Sequence, residues 1–414
     1  MSLDSSAIRR HFPFLNQSIR GNPIVYLDSA ATAQKPDAVL DAMRRQDETA
    51  TANVHRGMHV LAERATDAYE GARETVRRFV NAKHTDEIIF TKSTTESINL
   101  VARSLGSTWQ EGDAVLLSLL EHHSNIVPWL QLKEEKGIDV RWVDIDAQGQ
   151  IDLQSFEKQM EDGRVKMLSI TGQSNVLGTR PPLKEMIIAA RAKGARVMVD
   201  AAQLVGHAPI DVATLDCDFL AFSGHKLYGP TGIGVLYGKR ERLKELPPFL
   251  GGGMMIREVT RDHFTVDDAP AKFEAGTPPI TQAVGLAAAI DWLQQFSWSD
   301  REAHEQELLN TAVDELVQIN GVKILGYETK NQERKTKNFH GCISFVIDDI
   351  HPHDLTDLLG QRGICLRAGH HCTQPLHTHL GINASARLSI GLYNTVEEIQ
   401  LLPAAIQDAV KKLK

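Results

Sequence analysis

Between residues 28 and 238 the chain repeats one pattern, and that pattern limits the folds open to it. Short apolar runs (EIIFT, AVLLSL, VRWVDI, VKMLSIT, RVMVDA, CDFLAF, GIGVLY) are separated by stretches with helical spacing, such as TTESINLVARSL and LKEMIIAARAKG. The runs have the length and composition of buried strands. Strands alternating with helices predict an α/β fold with a mostly parallel sheet. A Gly/Pro-rich region, from LPPFLGGGMM to EAGTPP, interrupts the pattern, and the long helical stretch TQAVGLAAAIDWLQQF follows. Further on, helices mix with the strand-like runs VKILGY, GCISFVID and RLSIGL, which predicts a smaller α+β domain. The charged, irregular run ETKNQERKTKN, residues 328–338, reads as a solvated loop.

Charge and cysteine usage narrow the function. A formal charge of −8 over 414 residues leaves no basic footprint for nucleic acid. No apolar run approaches the ~18–20 residues of a membrane span, and the N-terminus has no apolar export segment. Cys217, Cys342, Cys365 and Cys372 lie far apart without a CxxC, so a reducing, cytoplasmic setting is expected. The first three sit in strand-type runs, where a thiol behaves as a small hydrophobe. Cys372 differs. It lies in RAGHHCTQPLHTHLG, a polar loop between Gly369 and Pro375. On its own that stretch allows a zinc ligand, a core thiol or a nucleophile. The C-x4-H-x-H spacing of Cys372, His377 and His379 is loose and lacks a second ligand pair, so no metal is expected.

The segment CDFLAFSGHKLYGPTGIGVLYG is the most informative. A buried-type strand ends at Phe222, and Ser223, Gly224, His225 and Lys226 follow. A lysine just past the carboxyl end of a strand stands where α/β sheets place ligands. Pyridoxal phosphate (PLP) would use that lysine as its anchor, the hydroxyl and imidazole for its phosphate, and the glycines for close backbone approach. Its pyridine nitrogen needs a carboxylate. RVMVDAAQ supplies Asp200 at a strand end, with Gln203 after it. The phosphate needs amide donors, and Ser93-Thr94-Thr95-Glu96 reads as a capping box at a helix start. An imidazole often faces the cofactor, and LLSLLEHHSNIVPW places His122 and His123 beyond another strand.

Taken together, LDSAATAQKP, ANVHRGMHVLAERAT, FTKSTTESINLVA, LLSLLEHHSNIVPW, SNVLGT, VDAAQLVGH, FSGHKLYGPTGIGVL, FEAGTPP, RAGHHCTQPL and RLSIGLYNT resemble, in order over residues 26–395, the group II cysteine desulfurases of the Suf type. The resemblance implies the PLP-dependent transferase fold type I. That means a large domain with a mostly parallel seven-stranded sheet flanked by helices, plus a smaller α+β domain. It divides the chain into an N-terminal segment near the small domain (1–20), the PLP-binding domain (21–260), a connecting segment with a dimer-interface loop (261–290) and the small domain with the nucleophile loop (291–414). Conversion of L-cysteine to L-alanine in a cytoplasmic homodimer is implied, with sulfur passed on for iron–sulfur cluster assembly. Selenocysteine lyase activity on the same site is the alternative.

The implied roles follow residue by residue. Lys226 carries the cofactor and moves protons. Asp200 pairs the pyridinium, and Gln203 contacts the ring oxygen. His123 stacks on the ring and acts in acid–base steps. Thr94, Thr95, Ser223 and His225 hold the phosphate, with Thr277 reaching it from the other subunit. Asn175, Arg387 and Arg367 hold the substrate carboxylate. Cys372 takes the sulfur as a persulfide, its thiolate favoured by Arg367, His370 and His371. The acceptor is a small protein of SufU or SufE type, and His353, nineteen residues before Cys372, favours a zinc-containing SufU-type partner. Thr373 and His377 stand where this family often has other residues, and neither change removes a group the chemistry needs.

Overall fold

The computed structural model describes residues 3–327 and 339–414. The charged run at 328–338 lies outside the described residues. Seven of the strand-like runs form one sheet. These are β1 (Ile88–Thr91), β2 (Ala114–Ser118), β3 (Asp139–Val143), β4 (Val165–Thr171), β5 (Arg196–Asp200), β6 (Phe219–Ser223) and β7 (Gly234–Gly238). Their order is β1-β7-β6-β5-β4-β2-β3. The pairs β2–β3, β2–β4, β4–β5 and β5–β6 are parallel, and β7 runs antiparallel between β6 and β1. Every residue of β1, β2, β6 and β7 is buried, as expected of strands covered on both faces.

This topology brings the carboxyl ends of β4, β5 and β6 to one edge, which is where Thr171, Asp200 and Ser223 stand. The first helical turn after β1 reaches the same edge. Helices α1 (Asp37–Thr49) and α2 (Val60–Phe79) precede α3 (Thr94–Gly106), whose N-cap Ser93 accepts from Glu96 N. Only half of the expected capping box forms, because the Glu96 carboxylate instead accepts from Lys92 N at 2.5 Å. The start of α3 is pressed against β7. A Cβ on Gly234 would lie 2.6 Å from Ser93 Cα, so no larger residue fits there without moving the helix start.

A second sheet, ordered β8-β9-β11-β10, is antiparallel throughout. It consists of β8 (Val322–Ile324), β9 (Cys342–Ile347), β10 (Arg367–Gly369) and β11 (Ser385–Ser389). Helix α4 (Ile280–Leu293) packs on α1 and α2, and α5 (Trp298–Leu316) covers the second sheet. The N-terminal stretch fastens the parts together. Phe12 is fully buried, with ring centroids 5.3 Å from Trp292 of α4, 6.0 Å from Tyr228 and 4.8 Å from Tyr393. Burying such a ring stabilises by about 1.5–3 kcal/mol. Arg9 adds an ion pair to Glu398 at 2.6 Å and donates to Ile24 O at 2.7 Å. No helix among the described residues is long and apolar enough to cross a membrane.

The contact of Gly234 with Ser93 yields a test. Gly234→Ala should destabilise the protein by about 1–3 kcal/mol, the usual effect of overpacking. It should also weaken phosphate capture at the α3 start. Denaturant midpoint and cofactor affinity measure the two effects, and an unchanged midpoint contradicts the packing argument.

Candidate active site

The strand ends, the α3 N-terminus and the second sheet enclose a cavity of about 220 Å³. Lys226 enters it from the turn Gly224–Lys226 that follows β6. Desolvation lowers the lysine pKa; the Asp200 carboxylate opposes this and the Arg387 guanidinium adds to it. An amine held below its ordinary value is a better nucleophile toward an aldehyde.

Asp200 is buried at the end of β5, and its Oδ1 accepts from Ala202 N at 2.9 Å. Burial raises its pKa, and only the Ala202 amide and the lysine offset that. A buried carboxylate asks for a cationic partner, which a protonated pyridine provides. On β6, Ser223 Oγ accepts from Thr94 N at 2.8 Å and lies 2.7 Å from Thr94 Oγ1. This bond fixes the start of α3 against the sheet edge, with Thr95 and His225 also on the cavity wall. His225 Nδ1 and Arg387 Nε are buried without a hydrogen-bond partner among the described residues. A buried carboxylate at one end, hydroxyls and a helix start at the other, and a lysine between them fit PLP. Gln203 also lines the cavity, its Nε2 donating to Ala30 O at 2.8 Å.

The histidine pair is resolved differently from the expectation. His122, not His123, lies on the cavity wall. The two are consecutive around a tight turn, so their rings diverge, with centroids 6.4 Å apart. His122 accepts from Ser124 N at 3.1 Å and faces inward; burial, with Lys226 adding, pushes its pKa down to about 3. His123 turns to the cysteine loop, where its N–H donates to Cys372 O at 2.7 Å and its Nε2 accepts from Gln374 N at 3.0 Å. Below them Glu121 is wholly buried and accepts from Ser118, Asn125 and Thr171, with burial raising its pKa to about 7.

The second sheet supplies the opposite wall. Arg387 on β11 is buried, donates to Asn175 O at 2.9 Å and pairs with Asp28 at 3.1 Å. Arg367 on β10 stands directly across from it in the ladder, and both line the cavity. Asn175 turns its amide to His371 O at 2.7 Å. Thr277 is exposed and lies in a separate depression on this chain, away from the cavity. Asp28 was not anticipated as a site residue. The only signal was a carboxylate in LDSAA, and its partner lies 359 positions away.

Cys372 is exposed yet lines the cavity. It and His371 both adopt left-handed backbone, at φ 59° and 50°. Non-glycine residues hold that region only when their surroundings enforce it. Here His371 Nε2 lies 3.0 Å from Ser385 Oγ, and the His377 ring reaches the same hydroxyl at 3.0 Å. These contacts give His377 a structural task. They also correct the expected role of His371. Burial, with Arg387 adding, drives its pKa to about 2, so it is neutral and cannot favour the thiolate as a cation. Arg367 and His370 remain beside the loop; both are exposed. Cys217 and Cys342 are buried, their thiols pushed up to about 12 and 11 by burial, as small hydrophobes would be. His353 is exposed and stands over β10, its ring 3.5 Å from where a Cβ on Gly369 would lie.

A sheet edge carrying a lysine and a buried aspartate beside a phosphate cradle defines a PLP-dependent enzyme of fold type I. Residues 25–402 match the family Aminotransferase class-V. The chain belongs to that family. It is 46% identical over 408 residues to a protein of Streptomyces coelicolor named "Probable cysteine desulfurase", covering 97% of this chain and 96% of the relative. A protein of the same name from Vibrio cholerae is 45% identical over 414 residues, the full length of both. The crystal structure of the cysteine desulfurase CsdA from Escherichia coli superimposes with a TM-score of 0.90 at 39% identity, covering 100% of both chains. The apo cysteine desulfurase of Thermococcus onnurineus NA1 gives 0.92 at 36%, covering 100% of this chain and 99% of that one.

The buried histidines set a pH dependence. His122, His225 and His371 are pushed from 6.5 down to about 3, 4 and 2. Each contributes stability that is fully present above the unfolded value of 6.5 and is lost as pH falls toward the folded one. The melting temperature should therefore drop between pH 6.5 and 4, and less steeply in His371→Asn. A flat profile over that range would contradict the assignment of these rings as buried and neutral.

Proposed function

We propose that the protein is a cysteine desulfurase that converts L-cysteine to L-alanine and leaves a persulfide on Cys372. One observation carries this reading: Lys226 and Cys372 share one cavity, while the thiol remains exposed to a partner. A transaminase would leave Cys372 without a task.

The chain's own residues divide the work. Arg387 binds the substrate carboxylate in place of Asp28, with Arg367 and Asn175 beside it; a guanidinium suits a carboxylate because it binds both oxygens. His122, on the cavity wall, would cover the ring of the cofactor, and Asp200 would keep its nitrogen protonated. Bound PLP supplies the electron sink that lets the substrate α-hydrogen leave as a proton. Lys226 would hold the cofactor and, once free, would take the α proton. Cys372 attacks the substrate sulfur as a thiolate. The S–S bond forms, the Cβ–S bond breaks, and its electron pair stays with carbon, which is then protonated. Cysteine plus thiol become alanine plus persulfide, with no outside oxidant or reductant.

Partners belong to the same proposal. A homodimer would bring Thr277 to the other subunit's phosphate. Exposed apolar side chains support it: Met58 at 99%, and Val259 at 60% with Phe264 at 57% on the hairpin of residues 256–266. The domain divisions at about residues 20, 260 and 290 follow the same reading. A small sulfur acceptor, feeding iron–sulfur assembly, would dock on the face that carries Cys372 and His353.

Two experiments test this. Incubation with L-cysteine and a reductant should give equal amounts of sulfide and alanine. Cys372→Ala should abolish both products while keeping the visible absorbance of the lysine-bound cofactor, and full sulfide release by that variant would sink the assignment. His353→Ala should reduce turnover stimulated by a zinc-containing acceptor and leave basal turnover as it was; equal loss of both would remove the docking role.

A further inference from the structure

The loop that carries Cys372 is held from two sides. On the second-sheet side its fastenings are numerous and short-range. Thr373 N donates to His370 O at 2.9 Å, and the His371 and His377 rings share Ser385. On the side of the seven-stranded sheet the contacts are fewer and come from far in sequence. Asn175 Nδ2 reaches His371 O, and the rest come from His123.

We propose that His123 is a positioning residue: it clasps the nucleophile loop and sets the reach of Cys372 into the cavity. The inference rests on the reading of Cys372 as the sulfur carrier. His123 grips the chain on both sides of that residue. Its backbone N–H donates to the carbonyl of Cys372 itself, at 2.7 Å. Its ring Nε2 accepts from Gln374 N, at 3.0 Å. Gln374 opens α6 (Gln374–His379), so its amide has no acceptor within the helix. The two bonds bracket the thiol-bearing residue and help impose the left-handed backbone at His371 and Cys372. Partial burial, with the His370 ring beside it, pushes His123 below the ordinary histidine pKa, which keeps the Nε2 lone pair available.

The arrangement suits a residue with two destinations. Attack on the substrate requires Cys372 at a fixed depth over the cavity. Delivery requires the same sulfur to move outward. Releasing His123 removes its two bonds to the loop and leaves the loop held by Asn175 at His371 O and by its link to Ser385. His122 and His123 then have separate tasks, one facing the cavity and one the loop.

The test compares His123→Leu, which removes the acceptor, with His123→Gln, whose Oε1 can replace Nε2. Both are read in the PLP-loaded enzyme. In His123→Leu, hydrogen exchange in the peptide containing Gln374 should speed up by about two- to tenfold, the range one hydrogen bond commands. The kcat for persulfide formation should fall by a similar factor with the KM for L-cysteine unchanged, because Arg387 and Lys226 are untouched. His123→Gln should recover most of both. Unaltered melting temperature and cofactor absorbance exclude general unfolding. Wild-type exchange in His123→Leu, or a Gln variant no better than Leu, overturns the proposal. Exchange is measured without cysteine, so it reads the clasp even if Cys372→Ala shows that another group takes the sulfur.

Discussion

The cost of burying Asp200 organises the cavity. A carboxylate at the end of a central strand, away from water, is unfavourable unless a cation meets it. Lys226 helps at a distance, and a protonated pyridine would complete the pairing. The bond that Asp200 accepts from Ala202 N offsets only part of that cost. The presence of Asp200 therefore marks a functional demand that the fold accommodates. The strand order meets that demand. With β4, β5 and β6 side by side and parallel, Thr171, Asp200 and Ser223 end at one edge. The Ser223–Thr94 bond then draws the start of α3 to the opposite end of the same cavity.

The second constraint is that the site is shared between two sheets. The large sheet provides the lysine, the aspartate and the phosphate cradle. The small sheet provides Arg387, Arg367 and the Cys372 loop. Arg387 crosses the boundary twice, to Asn175 on one side and Asp28 on the other. Because Asp28 already neutralises it, the buried guanidinium is stable before substrate arrives. A carboxylate ligand exchanges one anion for another and leaves no cation bare. Burial raises the pKa of Asp28, and Arg387 offsets that only in part. A carboxylate held in this way is a weak competitor for the guanidinium.

Much of this was legible in the sequence, for identifiable reasons. Lys226, Asp200 and Ser223 follow strands, and a strand end fixes where its next residue points. The α/β alternation and the smaller α+β domain after it were likewise visible in local pattern. The choice between His122 and His123 was not, because it depends on the phase of a single tight turn, which two identical residues cannot reveal. Asp28 was missed because its role is a long-range pairing with Arg387. The expectation that His371 helps the thiolate failed for the opposite reason. Proximity in sequence suggested a cation, but the ring is buried against Ser385 and stays neutral. Thr277 depends on a second subunit, which one chain does not contain.

The placement of Cys372 also bears on which group favours its thiolate. With His371 neutral, two guanidinium groups stand near the loop besides Lys226, and Arg367 and Arg387 face each other across β10 and β11. Arg387 is already committed to Asp28, whereas Arg367 is exposed and has no ion pair among the described residues. The same side chain that would receive the substrate carboxylate is then the one free to attract the nucleophile. Substrate binding and thiolate stabilisation would compete for Arg367. That competition is relieved if Arg387 takes the carboxylate first and Arg367 stays with the sulfur. A guanidinium, always charged, can serve this purpose across the physiological pH range, which the buried, neutral imidazole of His371 cannot.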